Sequence, residues 1–300
     1  MKMKILVTGS SGLIGSALIP FLKLGQHQIA KLVRKKTGLK SGEIAWDLEK
    51  GIINPELLEG VEAVIHLAGE NIASIWTEKK KKQILESRVK GTKLLCQNLI
   101  CLKSPPEVLI SSSAIGYYGD HSDQILTEHS PKGQGFLADV CQQWEAATQS
   151  ATEAGIRTVF LRTGIVLSTQ GGALKSMLTP FKLGLGGELG SGKQYMSWIS
   201  IDDLIGIIYY VIRQKELQGA INAVSPNPVT NREFTKILGN VLHRPTFFKI
   251  PTFVLKWIVG EMAEEVLLKS RRVIPEILED KGFRFDHPNL KEALQSILTS

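Results

Sequence analysis

Cysteine is scarce. The three present, Cys96, Cys101 and Cys141, form no CxxC pair and no Cys/His set at zinc spacing, which argues against a paired-cysteine redox motif and a structural zinc site. Free thiols in a reducing compartment are expected, and no metal. Long apolar runs are also missing: none approaches the roughly 18 residues that a membrane span needs. The opening Met1-Lys2-Met3-Lys4 mimics the basic start of a signal peptide. The apolar run Ile5-Leu6-Val7 stops at Thr8-Gly9, however, so it is read as a strand, and a cytoplasmic protein is expected. No RNA- or DNA-reading motif accompanies the formal net charge of +7, so no nucleic-acid partner is expected and an anionic small ligand remains. The run Glu78-Lys79-Lys80-Lys81-Lys82 reads as a solvated helix start rather than a phosphate patch, because four adjacent lysines point around a helix and not along one face.

What is present is an ordinary globular composition, 43% hydrophobic and 22% charged, with enough chain for a full α/β core. Strand-like runs alternate with helical ones. Ile5-Leu6-Val7 is followed by a helix from Leu13 to Leu24, and Ile29 to Val33 is a second strand. Ala63 to Leu67 is a third strand, and Trp76 to Leu102 a long helix. Val108-Leu109-Ile110 is a fourth strand, Phe136 to Ala154 is helical, and Thr158 to Leu161 is a fifth. Parallel strands need helical crossovers, so this alternation predicts an α/β fold with a doubly wound parallel sheet. Asp202 to Arg213 reads as a helix, Ala220 to Val224 as a strand, and Thr230 with Glu233 as a capping box. From Thr246 short helices are punctuated by Pro251, Gly260, Pro275 and Gly282. The chain is therefore divided into residues 1–245, carrying the sheet, and 246–300, a small and mainly helical C-terminal subdomain.

Between the first strand and first helix lie Gly9, Gly12 and Gly15 in Thr8-Gly9-Ser10-Ser11-Gly12-Leu13-Ile14-Gly15. The first glycine permits the tight turn, the second lets backbone approach a pyrophosphate, and the third lets the helix pack close. The helix start then offers N–H groups and partial positive charge to phosphates. This context, strand then loop then helix, marks a Rossmann-type dinucleotide site. The second strand ends in Leu32-Val33-Arg34-Lys35-Lys36. No acid stands there to hold a ribose 2′-hydroxyl, whereas Arg34 and Lys35 suit a 2′-phosphate. NADP(H) is expected in preference to NAD(H).

The spacing TGxxGxxG resembles the extended short-chain dehydrogenase/reductases, as do His66-Leu67-Ala68-Gly69 and Ser111-Ser112-Ser113-Ala114 followed by Tyr118-Gly119. More narrowly, several stretches resemble the atypical YfcH-like proteins of the NAD-dependent epimerase/dehydratase family. They are Gly69-Glu70-Asn71-Ile72, Gly116-Tyr117-Tyr118-Gly119, Gly164-Ile165-Val166-Leu167, Pro180-Phe181-Lys182-Leu183-Gly184 and Pro226-Asn227-Pro228. Arg272-Val273-Ile274-Pro275 and Gly282-Phe283-Arg284-Phe285 are similar to that family's small C-terminal domain. The resemblance covers essentially the whole chain. It implies cofactor contacts at Gly9, Ser11, Gly12, Leu13, Ile14, Gly15, Arg34 and Lys35, with Asp47 and Leu48 near the adenine and Leu67, Ala68 and Gly69 along the ribose. It places Arg162, Gly164 and Ile165 past the nicotinamide side. Core packing is the alternative reading of Leu67, Ala68 and Ile165.

Short-chain dehydrogenases carry a Ser-Tyr-Lys set in which lysine and cofactor lower the tyrosine pKa. Ser113 stands where the serine belongs. Aligning Glu145 with that family's helix puts Leu137 at the tyrosine and Cys141 at the lysine, so the dyad is absent. Cys141 would serve as a thiolate only with a lowered pKa. The remaining candidates for chemistry are Ser113, Tyr117, Tyr118, Glu70 as a general base and Asn71 as a carbonyl-polarising group, each with a structural hydrogen-bonding role as the alternative. Arg88 is read as either site-facing or solvent-facing. The expected function is an NADP(H)-binding oxidoreductase or epimerase acting on an unidentified small molecule, as a monomer or homodimer. The alternative is a non-catalytic NADP(H)-binding regulator or redox sensor.

Overall fold

The computed structural model describes residues 2–34 and 37–299; Lys35 and Lys36 lie outside the described residues. Eight strands form the central sheet: β1 (Lys4–Thr8), β2 (Gln28–Val33), β3 (Glu43–Asp47), β4 (Ile52–Ile53), β5 (Ala63–His66), β6 (Val108–Ala114), β7 (Arg157–Thr163) and β8 (Gly219–Ala223). Their order is β8-β7-β6-β5-β1-β2-β3-β4. All neighbours run parallel except the edge pair β3 and β4. The chain winds outward from β1 through β2 and β3, then returns to the other side of β1 for β5 onward. The ends of β1 and β5 therefore bound the switch point at which such sheets open a ligand crevice.

The central strands are buried on both faces, as parallel strands covered by helices must be; Ile5, Leu6, Val7, Val64 and Ile65 have no exposed surface. Helix α1 (Leu13–Leu24) covers one face, with Ile5, Val7, Leu18 and Leu22 in one core cluster. Helix α2 (Glu78–Ile100) covers the other, where Leu95 and Leu99 join Leu6, Val64 and Leu109. Helix α3 (Phe136–Ala146) packs beside β6 and ends earlier than the periodicity predicts. The Thr148 hydroxyl donates to the Glu145 carbonyl at 2.9 Å, and a separate short helix follows at Gln149–Glu153. Such a side chain competes with the backbone for helical hydrogen bonds.

Helices α4 (Gly172–Lys182), α5 (Ile201–Arg213), α6 (Asn231–Leu242) and α7 (Leu290–Thr299) complete the larger elements. The capping box of Thr230 and Glu233 is formed at the start of α6. Residues Leu290, Ala293, Leu294 and Ile297 of α7 share a core cluster with Leu178, Phe234 and Leu238. Among the described residues no helix is long and apolar enough to cross a membrane.

Candidate dinucleotide cleft

The loop after β1 is shaped by backbone contacts that side chains would block. Gly9 has φ of +67°, and a Cβ there would lie 2.7 Å from the Leu67 carbonyl carbon. A Cβ on Gly15 would lie 2.4 Å from the Gly9 carbonyl oxygen. Glycine at these two positions lets the loop touch the end of β5 and lets α1 sit on the loop. Gly12 is the N-cap of α1, with no side-chain cap and no acidic residue in the first turn. The first-turn N–H groups and the positive end of the helix dipole are left for an external acceptor.

This loop forms one wall of a cleft of about 280 Å³. Gly9, Ser11, Gly12, Arg34, Leu48, Leu67, Ala68, Gly69 and Glu70 line it, so the structure brings these expected residues together. Ser10, Leu32, Val33, Trp46 and Ser87 also line it and went unforeseen. Trp46 belongs to β3, whose alternating burial from Glu43 to Asp47 follows a two-residue period that the sequence carries. Arg34 is exposed at the rim, with no hydrogen-bond or ion-pair partner among the described residues. Leu13, Ile14 and Gly15 stand behind the lining. The Leu13 side chain lies against Gly171 and Gly172, and Ile14 packs on the core. Asp47 turns its carboxylate onto the chain, accepting from the N–H groups of Glu49 and Lys50 at 3.1 and 3.2 Å.

Beneath the cleft runs a buried chain of hydrogen bonds. The Thr8 hydroxyl accepts from the N–H groups of Leu67 and Ala68, both at 3.1 Å, and pairs with His66 Nδ1 at 2.8 Å. With two N–H groups already donating to this oxygen, its own hydrogen is left for Nδ1, which assigns the imidazole proton to Nε2. Nε2 meets the Thr92 hydroxyl at 3.0 Å, and the Trp144 indole donates to the same oxygen at 3.0 Å. Burial, and after it the Arg88 charge, push the His66 pKa down to about 4. The ring is neutral at ordinary pH and holds the backbone that forms the cleft wall.

At the far side of β5 the candidate chemical groups are mostly occupied. Ser113 donates to Glu145 Oε1 at 2.6 Å. Glu145 also receives Arg162 twice, Nε to Oε1 and Nη2 to Oε2, both at 2.9 Å. The Arg162 guanidinium lies 3.5 Å from the Tyr117 ring centroid, and its Nη1 donates to the Tyr118 hydroxyl at 3.1 Å. Tyr118 is fully buried and donates to Asn222 Oδ1 at 2.7 Å, and burial pushes its pKa up to about 12. Gly164 is a packing position, where a Cβ would meet the Ser197 carbonyl oxygen at 2.6 Å, and Ile165 begins a short strand paired with Trp198. None of Ser113, Tyr117, Tyr118, Arg162, Gly164 or Ile165 lines the cleft.

Glu70 is half-buried and bonded to Lys80 at 2.6 Å, an interaction that holds its carboxyl below the usual range and weakens it as a proton acceptor. The lysine run is thus not simply solvated: Lys80 meets Glu70, and Lys81 meets Glu261 at 3.0 Å. Asn71 is exposed and closes a turn by accepting from the Ala73 N–H at 2.9 Å. Among the described residues no group of three His, Cys, Asp or Glu side chains is placed to hold a metal ion.

The family model for the NAD dependent epimerase/dehydratase family matches residues 5–223, and that for a domain of unknown function (DUF1731) matches residues 250–297. The chain belongs to the NAD dependent epimerase/dehydratase family. It is 42% identical over 291 residues to an epimerase family protein of Mycobacterium bovis, covering 97% of this chain and 96% of that one. The crystal structure of the human epimerase family protein SDR39U1 with NADPH superposes with a TM-score of 0.90 at 34% identity, covering 99% of this chain and 100% of that one. The UDP-glucose 4-epimerase of Thermotoga maritima, at 18% identity and a TM-score of 0.77 over 99% of this chain and 98% of that one, is a likeness of fold alone.

In this epimerase-family chain the positions expected of a tyrosine-lysine dyad hold no ionisable group fit for proton transfer. Leu137 is buried and lies against Gly116. Cys141 is buried, its thiol donates to the Ala114 carbonyl at 3.6 Å, and burial pushes its pKa up to about 11. The thiolate that a lowered pKa would have allowed is disfavoured.

Proposed function

We propose that this chain binds NADP(H) in the cleft and is an oxidoreductase or epimerase acting on a small molecule without a tyrosine-lysine dyad. One observation carries the reading: the glycine-lined, uncapped start of α1 faces a cleft whose β2 rim carries Arg34 and no carboxylate. The residues present fit the dinucleotide. The N-terminus of α1 and the Ser10–Gly12 backbone would hold the pyrophosphate, and Arg34 would take the 2′-phosphate as a bidentate charged donor. Trp46 and Leu48 supply apolar surface for the adenine. When bound, the nicotinamide supplies hydride exchange.

The relatives support the reading, since the human protein was crystallised with NADPH. Glu70 orients Lys80, and Thr8 with His66 fixes the cleft wall. Residues 1–245 carry the cofactor, and 246–300 form the smaller unit beside it, in a cytoplasmic monomer or homodimer. Calorimetric titration tests the proposal: NADPH is expected to bind and NADH to bind far more weakly, and no binding of either overturns it.

A second reading has its own support. Ser113 and Arg162 both donate to Glu145, and Tyr118 accepts from Arg162 and donates to Asn222, which suits a regulator or redox sensor that binds NADP(H) without turnover. Consumption of NADPH with any member of a panel of small carbonyl compounds decides for the enzyme. A change of oligomeric state on binding, without consumption, decides for the regulator.

A further inference from the structure

One cation behind the cleft wall at Gly69 has no ion-pair partner among the described residues, although the Glu70 carboxylate, itself bonded to Lys80, acts on it from farther off. Arg88 lies on α2, and among the described residues no carboxylate comes within ion-pair distance of it. Its Nη1 donates to the carbonyls of Glu70 and Ile84 at 3.0 and 3.1 Å, and its Nε and Nη2 have no partner among the described residues. The guanidinium lies 4.9 Å from the Trp144 ring centroid, so one face is covered by an aromatic surface. Its carbon would stand 3.1 Å from a Cβ on Gly69, the cleft-lining residue just past β5. The absence of a side chain at 69 is what lets the guanidinium lie against the cleft wall. The held Nη1 and the stacked ring fix its position, while the other edge presents the N–H groups of Nε and Nη2.

Its place along the cleft follows from topology. Arg34 follows β2, on one side of the switch point, and Gly69 and Arg88 follow β5 on the other. Resting on the NADP(H) reading, in which Arg34 takes the 2′-phosphate, the nicotinamide half extends toward β5 and β6. Trp144 and Cys141 lie on the same face of α3, and Cys141 holds the position that the short-chain dehydrogenase resemblance gives to a lysine. A neutral, buried thiol there, on a helix whose sequence holds no Lys, Arg or His, leaves α3 without a cation.

We propose that Arg88 is the resident positive charge of the nicotinamide half of the cleft, replacing from α2 the cation that α3 does not carry. A fixed cation near the ring opposes the positively charged oxidised nicotinamide and leaves the neutral reduced ring unaffected. Arg88 therefore sets a preference for the reduced dinucleotide, and it favours substrates that carry or develop negative charge on oxygen.

The test is a binding ratio, read without turnover. NADPH and NADP+ are titrated calorimetrically into the wild type, Arg88→Met and Arg88→Lys. A unit charge several ångströms from the ring in a partly shielded site predicts that the wild type holds NADPH about ten-fold or more tighter than NADP+. Arg88→Met is expected to bring the ratio close to one, chiefly by tighter binding of NADP+ relative to NADPH, and Arg88→Lys to keep most of the preference. Equal affinity of the wild type for the two forms overturns the proposal whether or not the variants fold. So does an Arg88→Met variant in which both affinities fall together at an unchanged ratio, since that is the signature of packing alone. Failure of either form to bind the wild type removes the dinucleotide reading itself, an outcome distinct from a ratio of one.

Discussion

The rim half, which is the cleft itself, and the far half, the network beyond β5 that does not line it, are built on opposite terms. Over β1 and β2 the backbone is shaped by glycines, the start of α1 is uncapped, and Arg34 stands at the rim with no hydrogen-bond or ion-pair partner among the described residues. Beyond β5, Ser113, Glu145, Arg162, Tyr118 and Asn222 satisfy one another in a buried network. A binding site needs unsatisfied groups, whereas a scaffold needs satisfied ones. The first half reads as a receptor for a ligand. The second spends most of its polar side chains on holding the fold, with Arg88 as the exception.

This contrast says that substitutions in the far half should cost stability and those at the rim should cost binding. The largest effect is expected for Arg162→Met, which strands a Glu145 carboxylate whose side chain is 11% exposed. Breaking a buried ion pair from one side costs about 3–5 kcal/mol, readable by urea unfolding. A loss below about 1 kcal/mol would break the comparison.

Next comes acid. The unfolded chain protonates His66 near the ordinary 6.5, while the folded chain resists until about 4. Stability contributed by the neutral ring is present above pH 6.5 and is lost as pH falls through that window, at about 1.4 kcal/mol per pH unit. The total is about 3 kcal/mol. His66→Gln should flatten this part of the stability profile, and an unchanged slope would remove His66 as its source. The smallest of the three is Tyr118→Phe, expected to cost about 1–3 kcal/mol by leaving Asn222 Oδ1 without its donor. The variant should leave NADPH affinity within about three-fold of the wild type; a larger loss would move Tyr118 from scaffold to site.

The legible parts of the protein were those governed by local chemistry. The glycine spacing announced the loop, the apolar alternation announced the wound sheet, and the missing acid after Val33 announced Arg34. What stayed hidden depends on partners distant in sequence. Tyr118 is an evident candidate acid by residue type, yet its partner Asn222 lies 104 positions away. Ser113 is separated from Glu145 by 32 positions. The aromatic and hydroxyl names suggested chemistry, and only packing showed that their hydrogens were committed. Trp46 escaped because β3 is short and lies between two irregular stretches, although its alternation was present. The Lys79 to Lys82 run looked solvated because Glu70 and Glu261, its acidic partners, arrive from other elements.

The central claim, that the rim half is an NADP(H) receptor, is most directly tested by titrating NADPH and NADH into the wild type and Arg34→Ala. A bidentate charged contact to the 2′-phosphate is worth roughly 1.5–3 kcal/mol, about 10- to 150-fold in affinity. The account expects NADPH to bind tighter than NADH by that factor in the wild type. It expects Arg34→Ala to erase the difference while unfolding at the same urea concentration. Equal binding of the two nucleotides by the wild type, or an Arg34→Ala variant that still prefers NADPH by the same factor, would contradict it.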